Sequence, residues 1–206
     1  MIRFKNTEVL NLMNALRGMR NPLNSWDKSD SYKHENVPIP VIGAEDLKLA
    51  RKLVAAGSDH RKFLRQIFVS VDITAPLYWW KEYDTYKVGT VANSTSTMHT
   101  IHQQPITRDM FSCERLSPVA LGCLDTTIRV IEDARQEYVK TGDVAAWHDI
   151  IQLLPSSFNQ MRTCTFNFEN LLAMHQARQN HKLPEWREFC EWMETLSYFS
   201  IICLEV

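Results

Sequence analysis

The stretch that decides the fold is QIFVSVDITAPLYWWKEYDTYKVGT, residues 66 to 90. Its first part alternates apolar with polar or aromatic positions, and this period of two predicts a β-strand with one buried face, formed by Ile67, Val69, Val71 and Ile73. Thr74 and Pro76 predict a helix start, with the threonine as N-cap and the proline in the first turn. The aromatic residues that follow can stack on a planar ligand ring, but two structural roles, in a core or in a subunit interface, are more typical of them.

Apolar residues at helical spacing predict helices on both sides of this segment. The predicted helices cover residues 7–19 (capped by Thr7), 44–57, 117–140, 143–154, 168–179 (capped by Asn167) and 184–206 (opened by Pro184). A second strand is predicted at residues 161–168, and residues 20–43, with three prolines, should be irregular and mostly at the surface. The pattern is that of a helix-rich α+β protein.

Bulk properties narrow the class of protein. A chain of 206 residues fits one domain, residues 1–206, and its net charge of −1 offers no basic field for duplex nucleic acid. No signal peptide and no apolar run of about 20 residues is present, so we expect a cytoplasmic protein without a membrane partner. Five cysteines without a CxxC pair and seven histidines without an HxxxH pair predict no metal site.

A polar segment follows the aromatic helix. KVGTVANSTSTMHT, residues 87 to 100, supplies one lysine, six hydroxyl groups, one amide and a glycine that lets the backbone approach a ligand. Such a set suits a phosphate or a ribose. Serine and threonine are also common in ordinary loops, where they bond their own backbone, so both interpretations stay open.

Two long segments resemble one known family. DITAPLYWWKEYDTYKVGTVANSTSTM, residues 72 to 98, resembles without a gap the strand, Ala-Pro, helix and RHR-x7-S segment of flavin-dependent thymidylate synthases (ThyX). LLPSSFNQMRTCTFNFENLLAMHQAR, residues 153 to 178, is similar to the family's "LP…T.N.R.L..F..LR" run, and ALRGMRN, residues 15 to 21, to its "AVRAAR" segment. The resemblance implies a ThyX-like fold, with a central antiparallel sheet packed against several long helices.

The resemblance also implies ligand positions. The RHR positions fall on Thr85, Tyr86 and Lys87, which with Thr90 and Asn167 would bind the cofactor FAD. The substrate nucleotide would be bound by four further residues, Asn93, Thr95, Thr97 and Arg178. No catalytic residue is singled out.

Several ligand positions depart from the family pattern. The family's RHR keeps only one cation here, and the arginine of its N-x-R motif is replaced by Glu169. An arginine–phosphate contact contributes roughly 1.5–3 kcal/mol and a threonine hydroxyl about 0.5–1.5 kcal/mol. Binding the same ligand would therefore need compensation from other groups.

Three functions are consistent with these residues, the least specific being a structural or interaction protein whose former site is only a surface groove. The first is that of the family: FAD-mediated reductive methylation of dUMP with methylenetetrahydrofolate, in a homotetramer whose sites are shared among subunits. The alternative is a non-catalytic or diverged protein that binds a nucleotide or another phosphate-bearing small molecule on the same fold and no longer uses FAD. Neutral residues at three ligand positions, Thr85, Asn93 and Thr97, favour the alternative.

Overall fold

A computed structural model describes residues 2–35 and 39–205 and contains a four-stranded antiparallel sheet. The strands are β1 (Arg3–Leu10), β2 (Phe68–Pro76), β3 (Val91–Ser94) and β4 (Asn159–Asn167), in the spatial order β1-β2-β4-β3. The prediction for β2 is confirmed, because Val69, Val71 and Ile73 on its buried face are at most 1% exposed, and Ile67, directly before the strand, is fully buried.

The helices account for most of the remaining chain. They are α1 (Leu12–Met19), α2 (Ala44–Ala55), α3 (Leu77–Tyr83), α4 (Thr97–Thr100), α5 (Pro118–Thr141), α6 (Val144–Leu153), α7 (Phe168–Arg178) and α8 (Pro184–Glu194). In the described part of residues 20–43 there are only short 3₁₀ turns and one isolated bridge, as predicted. Within residues 2–35 and 39–205, no helix combines the length and the apolar character that crossing a membrane requires.

The predicted first helix is confirmed over Leu12–Met19, but its predicted start and its Thr7 cap are wrong. Residues 3–10 form β1, an edge strand of the sheet, and α1 begins only after Asn11, whose φ of 67° is left-handed. The ring of Phe4 stacks on the ring of Trp192, with 4.7 Å between the ring centres. β1 is therefore held in place by residues that are distant from it in the sequence. Helical spacing of apolar residues did not reveal these contacts.

The predicted cap of α3 is also wrong. β2 runs through Thr74 to Pro76, and Pro76 itself is the N-cap residue, without a side-chain hydrogen bond. The first N–H groups of α3 are satisfied instead by backbone carbonyls before β4, because Leu77 donates to Phe158 O and Tyr78 to Ser156 O, each at 3.0 Å. A threonine cap is therefore not needed.

Two further elements differ from the sequence prediction. The predicted polar loop contains the short edge strand β3, all of whose residues are exposed. The last helix is shorter than predicted, since α8 ends at Glu194 and a π-helical turn follows at Ser200–Leu204. Tyr198, with a φ of 66°, lies between them in a left-handed conformation that interrupts the helix.

The chain divides into two compact units, and each strand has residues in both. The first unit contains Ile73–Thr85 and Asn93–Thr163. Its core includes Ile131 of α5 and Ile150 of α6, both fully buried, and its α3 buries Trp79, Trp80 and Tyr83. The aromatic helix is thus part of a core, one of the two predicted roles.

One carboxylate in the first unit titrates unusually. Glu132 in α5 accepts hydrogen bonds from the Arg135 guanidinium at 2.7 Å and from the Ile106 N–H at 2.8 Å. The hydrogen bonds from Arg135 are the largest cause that lowers the pKa of Glu132 from 4.5 to about 2, against the opposing effect of burial. Through its hydrogen bond with the Ile106 N–H, Glu132 also joins α5 to the segment before it.

The second unit contains Phe4–Asp72, Tyr86–Ala92 and the chain from Cys164 onward. Its core is built of large side chains that are at most 1% exposed, among them Leu16, Leu64, Phe166, Trp186, Phe189 and Phe199. Cys190 and Cys203 are buried in this unit, and all five cysteines are free thiols. That the whole chain is one domain stays a prediction.

Candidate functional site

The loop Tyr86–Thr90 of the second unit lies against the start of α7. Asn170 donates from Nδ2 to the Val88 carbonyl at 2.8 Å, and the Thr90 hydroxyl donates to the Tyr86 carbonyl. Gly89 has a φ of 74°, and a Cβ at this position would stand 3.2–3.3 Å from amide atoms of Asn170 and Asn167. Both the left-handed φ and the close approach of the backbone to the helix favour glycine at this position.

Asn167 forms the cap of α7, as predicted. Its Oδ1 accepts the Asn170 N–H at 3.0 Å, and its own N–H donates to Asn170 Oδ1 at 3.2 Å, which completes a capping box. The partial positive charge of a helix N-terminus favours a negatively charged ligand beside it. A contact between Asn167 and a cofactor stays a prediction.

Arg178 and Tyr86 meet at the other end of α7, although 92 residues separate them. Arg178 donates from Nε to Tyr86 Oη at 2.8 Å, and its guanidinium carbon lies 4.7 Å from the ring centre of Trp186. The arginine is thereby held by a hydrogen bond and a cation–π contact. Two of the predicted ligand residues are brought together, and each satisfies part of the other's hydrogen-bonding capacity.

Trp186 was not found by sequence analysis. It is fully buried in α8 and packs edge-on against Tyr86 at 5.8 Å between ring centres. The only signal in the sequence is a tryptophan in the first turn of a predicted helix, which is equally typical of a core residue. Its contact with Arg178 depends on the packing of α8 against α7.

Glu169 occupies the position where the family pattern has an arginine, and it is neutralised by Arg61. Arg61 Nε lies 2.9 Å from Glu169 Oε2, and Arg61 Nη2 donates to Glu169 Oε1 at 3.0 Å. Both side chains are 17% exposed, so the pair is largely shielded from water. A guanidinium is therefore present near this position, but it comes from another part of the chain and is paired with a carboxylate.

Lys87 is the exposed cation of the loop. Within the described ranges, 2–35 and 39–205, it forms no ion pair. A lysine ammonium on a flexible stem is suited to a phosphate that approaches from solvent. Its predicted contact with a ligand therefore has no competing partner among these residues.

The other candidate residues lie in the first unit and are partly engaged. The Thr85 hydroxyl donates to the Glu82 carbonyl at 2.7 Å. Thr95 donates to the Met161 carbonyl from both its N–H, at 2.9 Å, and its hydroxyl, at 3.1 Å. Asn93 is exposed in β3, and Thr97 is the first residue of α4. Each oxygen still has capacity to accept a hydrogen bond, and the ligand contacts stay predictions.

Arg162, another cation available to compensate for the missing arginines, is also paired. Its Nη1 lies 2.8 Å from Asp84 Oδ1, and its guanidinium carbon lies 4.3 Å from the centre of the Trp80 ring. The side chain is only 15% exposed. A ligand phosphate would have to compete with Asp84 for this arginine.

The described fold is that of the flavin-dependent thymidylate synthases, and this confirms the fold that the sequence resemblance implies. One similar solved structure is thymidylate synthase X (ThyX) from Helicobacter pylori with FAD and dUMP, which has a TM-score of 0.71 and 13% sequence identity and covers 100% of this chain and 98% of the other. A second, the flavin-dependent thymidylate synthase ThyX from Helicobacter pylori complexed with FAD and dUMP, has a TM-score of 0.69 and 14% identity, with 99% and 98% covered. No protein-family model and no curated protein matches the sequence. The likeness is one of fold.

Proposed function

We propose that the protein is a ThyX-like flavin-dependent thymidylate synthase, which binds FAD and dUMP and methylates the nucleotide with methylenetetrahydrofolate. The observation that carries the proposal is the end-to-end coincidence of the chain with two ThyX structures that hold FAD and dUMP. FAD, once reduced, supplies the hydride for this chemistry. The protein's contribution is to bind and orient the ligands.

The loop Tyr86–Thr90 supplies the groups that this proposal assigns to the cofactor. Gly89 brings the loop backbone close to the amides of Asn167 and Asn170 at the start of α7. Lys87 adds an exposed positive charge on the same loop. In this proposal Lys87 binds a cofactor phosphate and Asn167 donates to the cofactor from the start of α7, while Arg178 holds the substrate nucleotide.

Absorbance titration with FAD tests the proposal. We expect the flavin bands to shift on binding and the Lys87→Gln variant to bind FAD about tenfold more weakly, since it loses one charge-assisted contact. Lys81→Gln is the matched control, because Lys81 is an exposed lysine in α3 outside the proposed site. Protein that leaves the FAD spectrum unchanged would refute the flavin-dependent function.

A second candidate is a diverged nucleotide-binding protein on the same fold that does not use FAD. The observation that favours it is the ion pair of Glu169 with Arg61, which places a carboxylate where the family pattern has an arginine. A nucleotide panel read by thermal unfolding tests it, because a ligand at a hundred times its Kd stabilises a protein by about 2.7 kcal/mol. A stabilising nucleotide without any effect of FAD would select this candidate over the first.

We also propose that the protein forms a homotetramer. Apolar side chains are exposed on the long helices of the first unit, notably Val119 at 80%, Val139 at 59% and Val144 at 59%. Association of copies would remove such side chains from water. Light scattering measures the mass directly, and a monomeric mass at micromolar concentration would contradict the proposal.

A further inference from the structure

The last residue of α7 is an arginine whose guanidinium contacts a buried tryptophan ring. The guanidinium carbon of Arg178 lies 4.7 Å from the centre of the Trp186 ring, and Arg178 Nε donates to Tyr86 Oη at 2.8 Å. The arginine is half-buried, whereas Trp186 is fully buried. A cation–π contact is stronger where water is excluded from the ring, so the contact with Trp186 should hold the arginine firmly.

Trp186 is itself immobilised by its neighbours. Its ring packs edge-on against the Tyr86 ring, with 5.8 Å between the ring centres, and against the Phe189 ring, with 5.9 Å between them. Side chains in a close-packed interior are held in defined rotamers. The tryptophan ring therefore acts as a fixed surface on which Arg178 lies, and it cannot follow the arginine if the arginine moves.

The contact with Trp186 differs in kind from the hydrogen bond with Tyr86. An aromatic ring attracts a cation through the electrostatic field of its face, and this attraction does not require an N–H donor. A ligand that accepts hydrogen bonds from Arg178 competes with Tyr86 Oη for donors. It does not have to displace the tryptophan ring in the same way.

An arginine that is already immobilised binds a ligand more tightly than a mobile one. Arginine has one of the largest rotamer entropies of all side chains, and that entropy is lost when the guanidinium is fixed on a ligand. In this protein part of the loss occurs on folding, because the guanidinium is held by Trp186 and Tyr86. The ring can therefore raise the affinity for a ligand that it does not touch.

We propose that Trp186 is a positioning residue for the substrate nucleotide, because it holds Arg178 in place for an acceptor oxygen of dUMP. The inference rests on the proposed function, in which Arg178 holds the nucleotide. It adds a residue to which the family resemblance assigns no role. A phosphate oxygen and a carbonyl oxygen of the base can both accept from a guanidinium, so the experiment below distinguishes the two.

Isothermal titration of dUMP into variants of the full chain tests the inference. Trp186→Leu should bind dUMP about tenfold more weakly, because the cation–π contact is lost. Trp186→Phe should lose no more than about threefold, because the phenyl ring keeps a weaker contact of the same kind. Trp192→Leu is the matched control, since Trp192 belongs to the same helix and stacks on Phe189. It should leave the dUMP affinity unchanged, and circular dichroism verifies that each variant is folded.

A double-mutant cycle with Arg178 separates positioning from a general effect on the fold. In the Arg178→Gln background, Trp186→Leu should cause no further loss of dUMP affinity, because the ring then has no cation to position. A second tenfold loss in that background would overturn the inference. Equal dUMP affinities in the wild type and in Trp186→Leu would overturn it as well.

Deoxyuridine, which has the base but no phosphate, identifies the oxygen that Arg178 binds. If Trp186→Leu weakens dUMP and not deoxyuridine, the arginine holds the phosphate; if it weakens both equally, the arginine holds the base, and either result supports the inference. A wild-type protein that does not bind dUMP would refute the proposed function and this inference together. Binding of dUMP that does not depend on Trp186 would refute the inference alone.

Discussion

Exchanging the partners of the Arg61–Glu169 ion pair tests both the geometry of the site and the role of position 169. The double variant Arg61→Glu/Glu169→Arg places an arginine where the ThyX pattern has one and keeps a carboxylate opposite to it. Each single variant instead sets two like charges against each other, at atoms that are 2.9 Å apart in the wild type. The exchange therefore restores the family residue without losing the pair.

The structure sets the expected magnitude. Removing one partner of a fully buried pair costs about 3–5 kcal/mol, because the other charge is left uncompensated. Both side chains here are 17% exposed, so we expect each single variant to lose about 2–3 kcal/mol, with residual solvent screening accounting for the reduction. For a chain of 206 residues this corresponds to a fall in Tm of about 5–10 °C. The double variant should remain within about 1 kcal/mol of the wild type.

Urea unfolding is measured for the wild type, the two single variants and the double variant, which together form a double-mutant cycle. FAD is then titrated into the wild type and the double variant, the two proteins that we expect to be stable. If the resemblance assigns position 169 correctly, the arginine of the double variant should tighten FAD binding by about threefold, because this arginine stays paired with the carboxylate at position 61 and the ligand gains only the difference between two interactions. A double variant that is as unstable as the single variants would show that residues 61 and 169 do not stabilise the fold as an ion pair. A stable double variant with unchanged FAD affinity would refute the cofactor role of this position.

Three further predictions concern titration, thiol reactivity and the backbone. The Arg135 guanidinium holds the pKa of Glu132 at about 2, so the stabilising effect of Glu132 is complete above pH 4.5 and is lost as the pH falls toward 2. Glu132→Gln should lower the free energy of unfolding at pH 7. In urea unfolding, the free energy of this variant should also depend less on pH between 4.5 and 2 than that of the wild type. Burial raises the pKa of the Cys203 thiol to about 12 while Cys123 is exposed, so a thiol reagent should modify Cys123 first, and Cys123→Ser should remove the fast phase of labelling. Gly89→Ala should cost about 1–2 kcal/mol in thermal unfolding, because its φ is 74° and the new Cβ meets amide atoms at 3.2 Å; a smaller loss in Gly57→Ala, where φ is 95° but no atom lies within 4 Å, would isolate the contact, and equal losses would contradict it.

The elements that could be predicted from sequence are those whose pattern is local. The alternation of β2, the N-cap of α7 at Asn167 and the long helix α5 each depend on residues within a few positions of one another. The ordered match of two long segments to one family added the fold class, which the structural likeness confirms. The local patterns and the family resemblance were therefore sufficient to predict the fold class.

The elements that were missed depend on contacts distant in sequence. β1 and β3 are the edge strands of the sheet, and their apolar and polar residues do not alternate clearly enough to reveal a strand. The partner of Glu169 lies 108 residues away, and that of Arg178 lies 92 residues away. Sequence spacing identifies a charged residue but does not show which opposite charge the fold places beside it.

The pairing of these cations determines how a ligand can bind. Arg178 is hydrogen-bonded to Tyr86, Arg61 is paired with Glu169, and Arg162 is paired with Asp84. A phosphate that binds any of these arginines must replace an existing partner and gains only the difference between the two interactions. One partner of Arg178 is the neutral phenol oxygen of Tyr86, whereas the other two arginines hold carboxylates, which compete more strongly with a phosphate. We therefore predict that an anionic ligand gains most at Lys87, which forms no ion pair within residues 2–35 and 39–205 and has no existing partner to give up.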